Sequence, residues 1–236
     1  KCKGEKDSFR YPQGVKVKDN RVYLPKIGWI NFKKSREIQG EIKQVTVINE
    51  GGKWHVCFSC EIEVKDKPLS KGSSTIGIDV GIKRFATIAT DEGIEKIENL
   101  NFLKKGLSKI KYLSKRFSIK KKKSKKRLDA KLKLILHHAK IRNKRRDFLH
   151  KLSTKLVNSH DKIIVENLNI KSLLQKSPKT LSFSISDVGW GEFLEMLKYK
   201  TKYSFKIFKK ADKYFPSTQL CSNCQKKKKI DLSVRT

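Results

Sequence analysis

The sequence predicts a mixed α/β (α+β) protein in which a small β-rich domain precedes a larger domain that combines a sheet with helices. Two observations predict this class. Between residues 15 and 65, apolar and polar residues alternate in short segments, as in half-buried strands. From residue 75 onward, short apolar strands are separated by long segments with apolar residues three and four apart, as in amphipathic helices.

The first predicted domain spans residues 1–72. Short apolar strands surround an Asp-Asn turn at residues 19–20, and a Glu-Gly-Gly sequence at residues 50–52 predicts a hairpin. We therefore expect a small twisted antiparallel sheet or barrel. The polar stretch that follows contains Pro68 and Gly72 and predicts a linker.

The second predicted domain spans residues 73–215 and opens with three antiparallel strands. Leucine, isoleucine and alanine then recur on one face of a long basic helical stretch, so we expect that face to be buried. Its apolar residues are Leu128, Leu132, Ile135, Ala139, Leu149, Leu152 and Leu156. Strands are predicted near residues 75–80, 85–90 and 94–97, and helices over 102–159 with a break near 118–124. A strand at 162–166 and a loop over 169–185 follow. The last predicted elements are a helix over 190–202, capped by Ser186 or Asp187, and a strand near 205–208. Three strands, helix, strand, helix, strand is the order of the ribonuclease-H-like fold.

The charge of the chain indicates a polyanionic partner. Lys and Arg number 57 against 23 Asp and Glu, a formal charge of +34. A compact fold with such self-repulsion is favoured when a polyanion neutralises it, and nucleic acid is the expected one. No apolar run is long enough for a membrane span and no signal peptide is visible, so we expect a cytoplasmic protein. We expect it to be a monomer or a homodimer.

A basic cluster falls at the predicted break in the helical stretch, where seven of the eight residues from 120 to 127 are Lys or Arg. Such a run is either a solvated turn or an electrostatic arm for phosphates, and both interpretations are compatible with nucleic-acid contact. The predicted nucleic-acid-binding residues are Lys120, Lys121, Lys122, Lys123, Lys125, Lys126, Arg127, Arg142, Arg145 and Arg146.

Two acidic residues stand out because each adjoins an apolar strand. Asp79 lies inside the strand Thr-Ile-Gly-Ile-Asp-Val between Gly77 and Gly81, and Glu166 ends the strand Lys-Ile-Ile-Val-Glu. Each alone could be an ordinary strand-end residue. Together they could hold Mg²⁺ or Mn²⁺ for phosphodiester hydrolysis, which needs several acidic oxygens around closely spaced ions. We expect both carboxylates on neighbouring strands, facing one cleft.

Four of the five cysteines form two Cys-x-x-Cys pairs. Cys57 and Cys60 lie on a predicted strand, where residues three apart face opposite sides, so we interpret them as core residues. Cys221 and Cys224 have the spacing of half a zinc site. Two thiolates cannot close a four-ligand site, so we expect no tightly bound zinc at this pair alone.

Five segments together resemble the TnpB/OrfB proteins of insertion sequences, relatives of type V CRISPR effector nucleases. The segments are GIDVGIKRFAT, RRDFLHKLSTKLV, IIVENLNI, ISDVGWGEFLEMLKYK and YFPSTQLCSNC, and SFRYPQG and LPKIGWINF resemble the preceding wedge domain. The resemblance implies a RuvC-type DNA endonuclease that uses Mg²⁺ or Mn²⁺, a guide RNA and a DNA target, with Asp79 and Glu166 as its first two catalytic carboxylates.

The resemblance also implies features beyond this sequence. In the family, a second Cys-x-x-Cys completes a zinc ribbon, and an Asp-rich motif then supplies the third catalytic carboxylate. The sequence reaches Thr236 before either, so residues 216–236 correspond to a partial zinc ribbon. We expect the chain to be a piece of a longer protein and to cut DNA poorly by itself.

Two alternatives stay open. A nuclease-dead relative would bind RNA or DNA without catalysis, and the third carboxylate distinguishes it from the enzyme. A DDE-type transposase would also use a ribonuclease-H-like fold, but the wedge-like sheet and the Cys-Ser-Asn-Cys segment are not typical of that class.

Overall fold

The computed structural model describes residues 7–50, 52–63, 74–212 and 226. They divide into two compact units, one comprising Lys1–Asp66 with Leu103–Arg145 and the other Lys67–Phe102 with Arg146–Thr236. The boundary expected at residues 72–73 lies outside the described residues. Residues 103–145, which we assigned to the second domain, group with the first unit instead.

Two three-stranded antiparallel sheets make up the β-structure of the first unit. Their orders are β1-β5-β6 and β2-β3-β4. The strands are β1 (Ser8–Tyr11), β2 (Lys16–Lys18), β3 (Arg21–Leu24), β4 (Gly28–Asn31), β5 (Glu41–Glu50) and β6 (Lys53–Glu61). Val22 and Leu24 from one sheet and Val45 and Val47 from the other form a shared buried core. The antiparallel strand pairing expected in this part of the chain is therefore confirmed.

Two helices, α1 (Phe102–Ser118) and α2 (Lys125–Ser159), follow the first three strands of the second unit in sequence. The predicted break between the two helices is confirmed. Leu149, Leu152 and Leu156 are buried, as expected. The prediction is wrong for Leu128 and Leu132, which are 62% and 41% exposed. In this half of α2 the apolar stripe borders an open cleft of about 250 Å³ shared with the β5–β6 turn, so water still reaches it.

The second unit is built on a five-stranded mixed sheet. Its strands are β7 (Thr75–Val80), β8 (Arg84–Thr90), β9 (Gly93–Glu98), β10 (Lys162–Val165) and β11 (Ile207–Lys210), in the order β11-β10-β7-β8-β9. Strands β7, β8 and β9 pair antiparallel, whereas β10 runs parallel to both β7 and β11. One sheet face packs against α2 and α5 (Trp190–Tyr203), with Phe85, Leu149 and Phe193 in the core.

Residues 169–185, expected to form a loop, are mostly helical in the structure. They form α3 (Ile170–Lys176) and most of α4 (Lys179–Val188). Asn169 caps α3 by accepting a hydrogen bond from the Ser172 amide at 3.0 Å. Ser186 and Asp187 lie inside α4 rather than capping α5, because Gly189, with φ +77°, ends one helix and begins the next. No helix of the described residues is long and apolar enough to cross a membrane.

Candidate active site

The strand pairing of the second unit brings Asp79 and Glu166 side by side. Strands β7 and β10 are parallel, with Val165 opposite Ile78, and the Glu166 amide donates to the Ile78 carbonyl at 3.4 Å. Asp79 follows Ile78 and Glu166 follows Val165, so the two acids are neighbours across the two strands. Because Ile78 and Val165 point into the core, the two carboxylates point to the other face, where both residues are exposed. The expected placement on neighbouring strands is confirmed.

The two carboxyl groups interact directly. Partial burial raises the pKa of Glu166 above its ordinary value, and a side-chain hydrogen bond with Asp79 and the charge of Asp79 raise this pKa further. Neither carboxylate has an ion-pair partner within the described part of the chain. Two adjacent acids without a compensating cation repel each other, and such a pair is a suitable ligand set for a divalent metal.

Small residues keep the surroundings of this pair open. A Cβ built on Gly77, two residues before Asp79 on the same face, meets no atom within 4 Å. A Cβ on Gly81 would lie 2.9 Å from the Arg84 carbonyl, so the turn after β7 requires glycine. The Asn99 amide holds this turn by donating to the Ile82 carbonyl at 2.7 Å. A substrate backbone can therefore approach the sheet face beside Asp79.

Thr87 is a site neighbour that the sequence analysis missed. It pairs with Asp79 across the antiparallel strands β7 and β8, so its hydroxyl is on the same face as the carboxylates. Directly opposed residues have Cβ atoms about 4.5–5.5 Å apart, within reach of a hydrogen bond or a shared water. The alternation of β8 could have identified it only once the β7–β8 register was known.

The carboxylate pair supplies two acidic ligands. No group of three or more His, Cys, Asp or Glu residues that could hold a metal occurs within the described residues. The pair suits Mg²⁺ or Mn²⁺, which bind through one or two carboxylates and otherwise keep water. A two-metal site of the kind that hydrolyses phosphodiesters needs further oxygen ligands.

Eight of the ten predicted nucleic-acid-binding residues fall into two groups, and the other two, Lys120 and Arg145, are half-buried. Those of the first group, which are exposed, are Lys121, Lys122, Lys123, Lys125 and Lys126. In the second group the guanidinium has an intramolecular partner. Arg142 contacts Glu50 at 2.7 Å and Arg146 contacts Glu192 at 2.8 Å, while Arg127 donates to main-chain carbonyls.

The interpretation of Cys57 and Cys60 as core residues is wrong for Cys57. Cys57 is exposed and Cys60 is half-buried on β6, although the two do face opposite sides. Strand β6 is an edge strand, and the described residues leave the Cys57 face uncovered. Cys221 and Cys224 lie outside the described residues.

Comparison with known proteins gives matches along most of the chain. The OrfB (IS605) family model, described as "Probable transposase", matches residues 57–177, and the Cas12f1-like TNB domain model matches residues 190–236. A protein of Escherichia coli named as a candidate RNA-guided DNA endonuclease, InsQ, is 34% identical over 215 residues, covering 85% of this chain and 52% of the relative. A Streptomyces pristinaespiralis protein, also named as a candidate RNA-guided DNA endonuclease, is 34% identical over 193 residues, covering 81% of this chain and 46% of the relative.

The fold also matches a solved structure. The cryo-EM structure of the Cas12f1–sgRNA–target DNA complex superposes with a TM-score of 0.56 at 19% identity, over 79% of this chain and 39% of that one. The chain spans about half the length of the curated relatives it matches. Because the OrfB model covers just over half of the chain, the protein belongs to the TnpB/OrfB family of insertion-sequence proteins.

Proposed function

We propose that the protein acts as an RNA-guided DNA endonuclease whose RuvC-type site contains Asp79 and Glu166. The observation that carries the proposal is the pair of interacting carboxylates at the ends of adjacent parallel strands. In this proposal the second unit is the ribonuclease-H-like nuclease domain, and the sheets of the first unit correspond to the wedge domain. The names of the Escherichia coli and Streptomyces relatives support the same activity.

The chain's own residues have three tasks in this mechanism. Asp79 and Glu166 bind the divalent ion through the exposed face of β7 and β10. Gly77 leaves space for the DNA backbone, and Thr87, opposite Asp79 on the same face, would orient the Asp79 carboxylate directly or through a shared water. A divalent ion held by these two carboxylates would supply Lewis-acid polarisation of the scissile phosphate and a more acidic water. We expect a third acidic ligand from the family's Asp-rich motif.

The proposed partners are a guide RNA and a target DNA. Base pairing between them would carry the sequence specificity, while the protein contacts phosphates and backbone shape. The charge of +34 fits such partners, because binding to phosphates releases their counterions.

Guided cleavage by the full-length protein tests the proposal. The protein, produced with its transposon-end RNA, is incubated with a matching plasmid and Mg²⁺. We expect cleavage that Asp79→Ala and Glu166→Ala each abolish, while Glu98→Gln, at an exposed position of β9, retains it. Cleavage that survives both alanine variants would refute the assignment of this site.

A second candidate is a nucleic-acid-binding protein without nuclease activity. The observation that favours it is the group of exposed lysines at Lys121, Lys122, Lys123, Lys125 and Lys126, which suits contact with phosphates and needs no metal. This function predicts tight guide RNA binding by the full-length protein and no cleavage at any Mg²⁺ or Mn²⁺ concentration.

A further inference from the structure

We infer that the concave surface between the end of α1 and the start of α2 is a preformed binding site for nucleic-acid phosphate. This surface, which we call the hairpin cleft, encloses about 340 Å³. Four cations and one carboxylate line it, giving three net positive charges. Its lining residues are Leu113, Arg116, Lys120, Lys126, Asp129, Ala130 and Lys133.

The hairpin cleft differs from a solvated charge run in its shape. Arg116 is on α1 and Lys133 is on α2, two turns beyond Lys126, yet all three residues border the same space. A concave surface with a net positive charge concentrates the field more strongly than a convex one, and so attracts anions. The apolar floor of Leu113 and Ala130 provides little competing solvation for a bound anion.

Arg127 fixes the turn that frames the cleft. Its guanidinium donates to the main-chain carbonyls of Lys120 at 2.8 Å and Phe117 at 3.1 Å, and its centre lies 4.2 Å from the Phe117 ring centroid. It thereby caps the carbonyl end of α1, which would otherwise repel an anion. Arg127 is therefore a positioning residue, although its sequence context suggested direct phosphate contact.

Ser124 fixes the other side of the turn. Its hydroxyl donates to the Lys121 carbonyl at 2.8 Å and accepts from the Arg127 amide at 3.2 Å, as in a helix N-cap. The turn is thus ordered by its own hydrogen bonds, so little conformational entropy remains to be lost on binding. Arg116 is also held, because it donates to the Tyr112 hydroxyl at 3.2 Å.

The ligand is a backbone phosphate rather than a base. The lining offers guanidinium and ammonium donors, which match phosphate oxygens, and no aromatic ring on which a base could stack. Guide RNA and target DNA both carry this group. The inference shares with the proposed function the premise that the protein binds nucleic acid, but it does not depend on cleavage.

The test compares two double variants with the same charge loss on the same two helices. Arg116→Gln with Lys133→Gln removes two cleft cations, whereas Lys111→Gln with Lys140→Gln removes two exposed cations that do not line the cleft. Binding of labelled single-stranded RNA, single-stranded DNA and both duplexes, each of one fixed sequence, is followed by fluorescence anisotropy over a range of KCl concentrations. Circular dichroism confirms folding. If a double variant does not fold, Arg116→Gln alone replaces the cleft variant and Lys111→Gln alone replaces the control variant.

For the cleft variant we expect the slope of log affinity against log salt to fall in magnitude by about 1 for each phosphate that the variant no longer neutralises. The slope of the control variant should fall clearly less. A larger effect on RNA assigns the cleft to the guide, a larger effect on DNA assigns it to the target, and equal effects identify a general backbone site. Equal slope changes in both variants, or an unchanged slope in the cleft variant, would overturn the inference. Guided cleavage would then still decide the proposed function separately.

Discussion

Replacing Asp79 with asparagine should stabilise the metal-free protein and remove its response to Mg²⁺. Asp79 and Glu166 occupy adjacent positions on parallel strands, whose axes are about 4.8 Å apart. Above the raised pKa of Glu166, both groups are charged and their repulsion opposes folding. The asparagine keeps the size of the side chain and removes one of the two charges.

The magnitude follows from the exposure of both residues. Two unit charges 4 Å apart repel by about 1 kcal/mol in water and by about 4 kcal/mol at an effective dielectric constant of 20. Because both side chains are exposed, solvent screening favours the lower value, so Asp79→Asn should gain at most about 1 kcal/mol. For a chain of this size that gain corresponds to about 2–4 °C in Tm.

The sign of the pH dependence is fixed by the direction of the shift. An acid whose folded-state pKa is raised contributes most to stability below its unfolded pKa, and this contribution is lost as pH rises through the folded pKa. The stability difference between Asp79→Asn and wild type should therefore appear only above the pKa of Glu166. It should be absent in acid, where Glu166 is protonated in both proteins.

Urea unfolding at several pH values, with and without Mg²⁺, measures these effects. Mg²⁺ at ten times its Kd should stabilise the wild type by about 1.4 kcal/mol and leave Asp79→Asn unchanged. Glu92→Gln, in the exposed β8–β9 turn, is the matched control and should change neither property. The reasoning fails if Asp79→Asn is less stable than wild type at pH 8, or if Mg²⁺ stabilises both equally.

Four further predictions concern other residues. Phe193→Ala should cost about 3–5 kcal/mol in urea unfolding, because Phe193 is fully buried with its ring 5.0 Å from that of Phe85; a loss under about 1 kcal/mol would contradict this. Lys200→Met should cost about 1.5–3 kcal/mol, because Lys200 donates three hydrogen bonds. Burial lowers the pKa of Lys200, so wild-type stability relative to Lys200→Met should rise as pH increases through that pKa, as unfolding at pH 7 and 10 would show. Thr87→Val should slow guided cleavage about tenfold without changing the unfolding midpoint, and an unchanged rate would exclude its orienting role. Arg127→Gln should speed amide exchange across the α1–α2 turn, and unchanged exchange would show that Arg127 does not fix it.

The neighbouring positions of Asp79 and Glu166 could be predicted because they follow almost entirely from the strand patterns. Alternation within β7 and β10 fixes which residues are buried, and the order of strands places β10 beside β7. In a parallel pair the register then brings Asp79 and Glu166 to neighbouring positions. The long helices were also predictable, since Leu149, Leu152 and Leu156 recur with helical spacing on a buried face.

The remaining features depend on tertiary context. Helices α3 and α4 are short and contain several serines and lysines, so few residues carry the helical pattern in each. Leu128 belongs to the same stripe as Leu149, yet only the fold determines which part of the stripe is covered. Cys57 lies on an edge strand, and alternation alone does not reveal which face of that strand has a neighbour. The hydrogen-bond partners of Arg127 likewise cannot be predicted from its place in a run of basic residues.

Manganese binding measured by electron paramagnetic resonance tests the central claim most directly. The claim is that Asp79 and Glu166 together hold a divalent ion on the open face of the sheet. We predict that the wild-type protein binds Mn²⁺ in competition with Mg²⁺. Asp79→Asn and Glu166→Gln should each weaken Mn²⁺ binding at least about tenfold. The loss of binding free energy in the double variant should not exceed the sum of the losses in the two single variants. Glu92→Gln should bind like the wild type. Equal Mn²⁺ affinity in the wild type and both single variants would contradict the account.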